Sequence, residues 1–229
     1  MVQRKGQRSR GKPDGRAGPD LRERVSKILD LLGREYPDPR LELEYDNAFQ
    51  LLVEAILAAQ ESDRKVNSIR KEFFEKYPDP KAIAEASLDQ LEEDLSSINF
   101  YRRKAKLLKE CCETLLREFG GEIPQTVEEM VRLPGVGRKT ANMVIGGAFG
   151  LPAIIVDRHF LRVSQRIGLT KERDPDRVEF ALREVVPKEE WTRFSFLLIS
   201  HGKKVCTAKD PRCDICVICD LCDSCKVKV

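Results

Sequence analysis

Lys139 follows a turn with two glycines, in the run Leu133-Pro134-Gly135-Val136-Gly137-Arg138-Lys139-Thr140. Glycines at this spacing permit positive φ and leave backbone N–H groups unshielded, so a phosphate oxygen can approach closely. A helix beginning near Arg138 adds free N–H groups and the positive end of its dipole. A turn of this kind, built from Gly135, Val136, Gly137 and Arg138, grips one backbone phosphate without reading bases. The same residues would also serve as a plain helix–helix connection. Lys139 weighs toward chemistry. In the first turn of a helix and beside Arg138 its ammonium form is disfavoured. A lysine that gives up its proton is a nucleophile toward a carbonyl or a sugar C1′, passing through a Schiff base.

Eighteen residues further on comes Ile155-Val156-Asp157-Arg158-His159. By position Asp157 is an ordinary N-cap. Facing Lys139, its carboxylate would also stabilise a developing oxocarbenium ion or move protons for the amine.

Six of the eight cysteines fall within the last 24 residues, and Cys206, Cys213, Cys216 and Cys222 are spaced C-x6-C-x2-C-x5-C. Four thiolates on a short irregular loop suit a [4Fe–4S] cluster or tetrahedral zinc. Cys219 and Cys225 extend the run, so spacing alone leaves the ligand set open. The chain opens without an apolar leader, which leads us to expect an intracellular, reducing setting in which disulfides do not form. The only histidines, His159 and His201, are too few and too scattered for a catalytic zinc site.

The elements that must position these groups read as helices. Apolar residues recur at helical spacing at Leu21, Val25, Ile28, Leu29 and Leu32, and residues 47–59 are apolar around most of the circumference. Ser62 and Ser87 cap helices over 63–76 and 88–97. A long amphipathic helix spans 101–119 and ends at Gly120-Gly121. Thr126 and Glu129 form a capping box. Further helices are expected at 138–149, 157–167, 175–185 and 188–201. No strand pair or repeat is evident, so the fold class is all-α. With 229 residues, 7% aromatics and no long apolar run, a β-sandwich and a membrane span are both disfavoured.

The formal charge of +3 hides an asymmetry. Residues 1–18 read as a disordered basic arm of net +5, and residues 132–166 carry another +5 with Asp157 as their only acid. Two basic blocks on an otherwise acidic chain point to a polyanionic partner.

Three segments, LPGVGRKTAN, VDRHFLRV and the four-cysteine tail, together resemble the endonuclease III family of DNA glycosylases, over roughly residues 21–225. The resemblance implies two helical domains flanking a DNA groove. One is a six-helix barrel (41–151) with a helix-hairpin-helix motif. The other is an iron–sulfur domain (19–40 and 152–229). It implies that Lys139 attacks C1′, that Asp157 is its partner, and that Cys206, Cys213, Cys216 and Cys222 hold a [4Fe–4S] cluster. It further implies base excision from duplex DNA, with oxidised pyrimidines as substrates, and nicking by β-elimination, carried out by a monomer. Monofunctional mismatch or uracil excision on the same fold is the nearest alternative, and a non-catalytic DNA-binding or electron-transfer iron–sulfur protein is the more distant one. Gln60 matches a gap-filling glutamine and Phe100 an apolar wedge, and His159 lies at the DNA surface. Asn99 stands where the family's wedge loop usually has glycine, and Arg158 where it usually has threonine.

Overall fold

The structure is a computed structural model describing residues 19–225. The proposed basic arm at 1–18 lies outside the described residues. Eleven α-helices and no strand occur among the described residues, as the sequence periodicity requires. They are α1 (Pro19–Glu35), α2 (Ala48–Leu57), α3 (Asp63–Lys76), α4 (Pro80–Glu85), α5 (Leu88–Asp94), α6 (Tyr101–Phe119), α7 (Val127–Met130), α8 (Arg138–Ala148), α9 (Arg158–Ile167), α10 (Pro175–Arg183) and α11 (Trp191–Lys204).

Side-chain caps fix most of the starts. Asn47, Ser62, Asp79, Ser87, Thr126, Asp157 and Asp174 each accept a hydrogen bond from a backbone N–H of the first turn they precede. Asp79 and Pro80 start α4, which the periodicity missed because six residues are too few to show a 3.6-residue repeat. The helix expected over 88–97 ends at Asp94, where Leu95 closes a turn and its side chain enters the core. Gly120, at φ 62°, ends α6 in the left-handed conformation, and the Gly121 N–H returns to the Leu115 carbonyl.

Two hydrophobic cores result. The first gathers residues from Leu43 to Ile155 around α2, α6 and α8. The second joins α1 to α9, α10 and α11, and includes Ile218 of the cysteine-rich tail. Between them runs the extended segment 153–156. Its side chains alternate, as period-2 backbone dictates. Ala153 and Ile155 enter the first core; Ile154 and Val156 enter the second. The backbone N–H groups of Ala153 and Ile155 donate to the hydroxyls of Thr192 and Ser195 on α11, at 3.1 and 2.9 Å. A segment pinned on both faces and along its backbone has little freedom, and it ends at Asp157.

Glycines let the helices close around this segment. A Cβ on Gly146 of α8 would stand 2.9 Å from the Thr192 side chain, and one on Gly202 of α11 would stand 2.9 Å from the His159 Cβ. These contacts set how closely α8 and α9 approach α11.

One buried acid is at odds with the apolar α2. Glu54 is 1% exposed, and neither carboxylate oxygen makes a hydrogen bond among the described residues, although the Arg70 Nε lies 3.5 Å away. Burial pushes its carboxyl up to about 8. The folded protein therefore holds a proton there that the unfolded chain releases near 4.5, so stability falls as pH rises from about 4.5 to about 8. We expect Glu54→Gln to match the parent below pH 4.5 and to exceed it by about 5 kcal/mol above pH 8, as measured by urea unfolding across that range.

Candidate active site

A cavity of about 1130 Å³ opens between the two cores, and Gln60, Lys139, Asn142, Asp157, Arg158 and His159 are among its lining residues. The hairpin leads into it, with Arg138 and Lys139 at the start of α8 among the lining residues. Gly135 has φ 81°, which turns the chain after Leu133, and Gly137 begins α8 with an extended backbone and no side-chain cap. No side-chain oxygen competes for the first N–H groups of α8, which is the condition for anion binding at a helix start. Val136 contributes only backbone, because its side chain is buried at 6% exposure. The Arg138 guanidinium is also engaged: it donates to both carboxylate oxygens of Glu179, at 2.6 and 3.0 Å, and lies 4.9 Å above the Phe180 ring.

Lys139 is exposed at the second position of α8, while Asp157 caps α9 from the end of the pinned segment. Asp157 Oδ1 accepts from the N–H groups of His159 and Phe160, at 2.8 and 2.7 Å. Its capping role is therefore real, and Oδ2 takes no part in it. Two helices with opposite starting residues, a lysine and an aspartate, thus begin on one cavity. His159 is half-buried between two arginines, its Nε2 3.3 Å from Arg158 Nε and its Nδ1 3.2 Å from Arg162. Burial lowers its pKa, and the neighbouring arginines act in the same direction. The ring is neutral near pH 7, so it offers hydrogen bonding rather than charge.

Gln60 and Phe100 share an unusual backbone. At φ 57° and 58° they are the only non-glycine residues with positive φ among the described residues. Both are exposed, Phe100 at 62%. In the second turn the left-handed residue is thus Phe100, one position beyond the Asn99 that replaces the family's usual glycine.

At the far end of the second core, Cys206, Cys213, Cys216 and Cys222 line a cavity of about 230 Å³. All four are free thiols. Arg166 donates to Cys206 Sγ at 3.4 Å, and its guanidinium also binds the carbonyls of Thr207 and Ala208. Arg162 binds the carbonyls of Cys206 and Gly202. Burial pushes the Cys216 thiol up to about 11, against a hydrogen bond from the Ile218 N–H that lowers it, and the nearness of the other three thiols adds to the rise. Four such thiols ionise together only around a cationic centre. Among the described residues no three of them converge on the point a single ion would occupy. Contrary to the expectation of reduced cysteines, Cys219 and Cys225 form a disulfide, with Cα atoms 5.4 Å apart. Successive tight turns at Cys219–Cys222 and Cys222–Cys225 fold the chain back far enough to join them.

A family model described as "HhH-GPD superfamily base excision DNA repair protein" matches residues 53–188. Endonuclease III of Synechocystis is 43% identical over 196 residues, covering 85% of this chain and 90% of that one. A solved structure of a trapped endonuclease III–DNA covalent intermediate superposes with a TM-score of 0.85 at 39% identity, covering 90% of this chain and 97% of that one. A thermostable thymine-DNA glycosylase superposes with a TM-score of 0.79 at 25% identity, covering 90% and 96%.

The chain belongs to the endonuclease III family. It is a base-excision DNA repair glycosylase. Against that identity the basic block at 132–166 divides in two. Arg132 pairs with Glu118, Arg138 with Glu179, and Arg162 and Arg166 tie down the cysteine loop. Lys139 and Arg158 are the members left exposed on the cavity. The charge surplus was legible in the sequence, but its distribution between structure and cavity was not.

Sequence reasoning also missed two groups. Asn142, one turn beyond Lys139, lines the cavity at 1% exposure, and neither its amide oxygen nor its nitrogen has a partner among the described residues. A buried amide left unsatisfied costs about 1–3 kcal/mol, so this group is one that a ligand in the cavity would satisfy. Glu179 is 2% exposed and holds Arg138 and Arg183 together. Both were invisible because an asparagine or glutamate within a helix carries no spacing signal. We expect Glu179→Ala to destabilise the protein by roughly 3 kcal/mol in urea unfolding, because two arginines lose the buried acid that neutralises them.

Proposed function

We propose that the enzyme is a bifunctional glycosylase/lyase that removes oxidised pyrimidines from duplex DNA, with Lys139 as nucleophile and Asp157 as its partner. The observation that carries this reading is the pairing of Lys139 at the start of α8 with Asp157 at the start of α9 on one cavity. Resemblance of the surrounding motifs to the endonuclease III pattern supports it. The Lys139 amine attacks C1′, and the bond from C1′ to the base breaks with its electron pair leaving on the base, which takes up a proton. Asp157 Oδ2 is free of the cap; it offsets positive charge on the sugar as that bond opens and accepts the proton that the amine sheds. The sugar then opens to a Schiff base. Loss of a C2′ proton expels the 3′ phosphate by β-elimination and nicks the strand.

Duplex DNA is the partner that fits these groups. The N–H groups of Gly135, Val136, Gly137 and Arg138 suit one backbone phosphate. Gln60 and Phe100 suit the gap left by an extruded nucleotide, and His159 lies at the edge of the same cavity. Every one of these residues comes from one chain, so a monomer suffices. No helix among the described residues is long and apolar enough to cross a membrane. The division into a barrel domain at 41–151 and a second domain from 19–40 and 152–229 is supported by the two separate cores.

Cys206, Cys213, Cys216 and Cys222 would hold a [4Fe–4S] cluster. Four thiols ringing a cavity, rather than meeting at a point, suit a multi-atom centre better than a lone zinc ion with sulfur ligands at about 2.3 Å. When bound, that group supplies cross-linking between segments of the loop. Arg162 and Arg166 hold the loop against α9, so its role in this chain is to order that loop.

Borohydride should trap a covalent complex with abasic duplex, and Lys139→Ala should abolish it; trapping that survives removes Lys139 from the chemistry. Asp157→Asn should slow release of thymine glycol by about a hundredfold or more while duplex affinity holds. The similarity to a thymine-DNA glycosylase favours a second reading, excision of thymine or uracil from mismatches without a nick. Free base released from a G·T duplex with the strand intact would establish that reading instead. Cys222→Ser should abolish visible iron–sulfur absorbance and lower the melting temperature; a variant that keeps both rejects the ligand set.

A further inference from the structure

Two exposed side chains in strained backbone need something to hold them. A left-handed conformation at a bulky residue is unfavourable and persists only where its surroundings impose it. Gln60 and Phe100 are 40 positions apart in sequence, yet the turns that carry them are tied together at two points. At the base, the buried Lys104 of α6 donates from Nζ to the carbonyl of Leu57, the last residue of α2, at 2.7 Å. The Lys104 backbone N–H donates to the Phe100 carbonyl at 3.1 Å, so one residue braces both turns. At the tip, the Glu61 carboxylate bridges them. Its Oε1 accepts from the Ser62 N–H at 2.9 Å and its Oε2 from the Asn99 N–H at 3.0 Å. Those two bonds hold the Glu61 carboxyl below the usual carboxylate range, so both oxygens accept as an anion near neutral pH.

We propose that Glu61 is a positioning residue that locks the Gln60 turn to the Phe100 turn, so that the two side chains enter the duplex as one rigid probe. The proposal rests on the reading of Gln60 and Phe100 as gap-filling and wedge residues. A probe with fixed separation avoids ordering two loops independently at the moment of nucleotide extrusion. The backbone N–H of Asn99, and not its side chain, is what this turn uses. The bridge therefore does not depend on the residue type at Asn99, since any residue but proline supplies that N–H.

The test compares kcat/KM for a thymine glycol duplex with kcat/KM for nicking a single-stranded abasic oligonucleotide, which has no gap to fill. In Glu61→Ala the duplex to single-strand ratio should fall by roughly tenfold or more, since losing even one charge-assisted hydrogen bond is worth about a factor of ten. Glu61→Gln should fall in between, because an amide offers one acceptor oxygen and turns its NH₂ toward the other N–H. Gln60→Ala and Phe100→Ala should each lower the ratio in the parent, and their non-additivity should disappear in the Glu61→Ala background. Equal losses on both substrates in Glu61→Ala would make Glu61 merely structural and overturn the proposal. If the Gln60 and Phe100 variants lower the ratio but Glu61→Ala does not, the bridge is wrong and the wedge reading stands. If neither Gln60→Ala nor Phe100→Ala moves the ratio, the wedge reading itself falls.

Discussion

The extended segment from Ala153 to Val156 is the constraint on which the rest depends. Four consecutive side chains alternate between two separate cores, so neither core can shift without dragging the other. Buried side chains on both faces resist sliding by one residue, because that would exchange every side chain between the cores. The segment thereby fixes the separation of α8 and α9, and with it the cavity between a lysine at one helix start and an aspartate at the other. Thr192 and Ser195 on α11 finish the arrangement by satisfying two N–H groups that a helix or sheet would otherwise have paired.

Charge is organised around the same frame. Most arginines of the central basic block face acids or carbonyls within the protein, and one of those acids, Glu179, is almost fully buried. Such pairs add little net stability, but each partner is costly to remove once the other is desolvated. Their effect is to hold surfaces in place: Arg138 fixes the hairpin against α10, and Arg162 and Arg166 fix the cysteine loop against α9. Of that block, Lys139 and Arg158 are the members left exposed on the cavity, so the block's uncommitted charge lies beside the proposed nucleophile. Left-handed Gln60 lines the cavity, and left-handed Phe100 stands outside its lining on the turn tied to that of Gln60.

Much of this was legible in the sequence because it is local. Hydrophobic periodicity, caps within three residues of a helix start, paired glycines and close cysteines all express physics that acts over a few residues. They identified the helices, the hairpin with Lys139, and a cysteine-rich tail by type and spacing, while the choice of Asp157 and of four cysteines among six came from the family resemblance. Local reasoning misjudged what depends on neighbours in space. It did not foresee left-handed backbone at Phe100, passed over α4, expected reduced thiols at Cys219 and Cys225, and gave no sign that Arg138, Arg162 and Arg166 are taken up by partners within the protein.

By itself, then, the sequence determined an all-α chain of endonuclease III type with its candidate chemistry at 139, 157 and 206–222, since those signals lie along the chain. Tertiary structure alone decided which polar groups are spent and which remain available. Arg138 is spent on Glu179 from 41 positions away, and Glu61 on the Asn99 N–H from 38. Asn142 remains unsatisfied in the cavity wall. The reason is that hydrogen bonds and ion pairs are set by distance and desolvation, and neither quantity exists until the two cores have closed around residues 153–156.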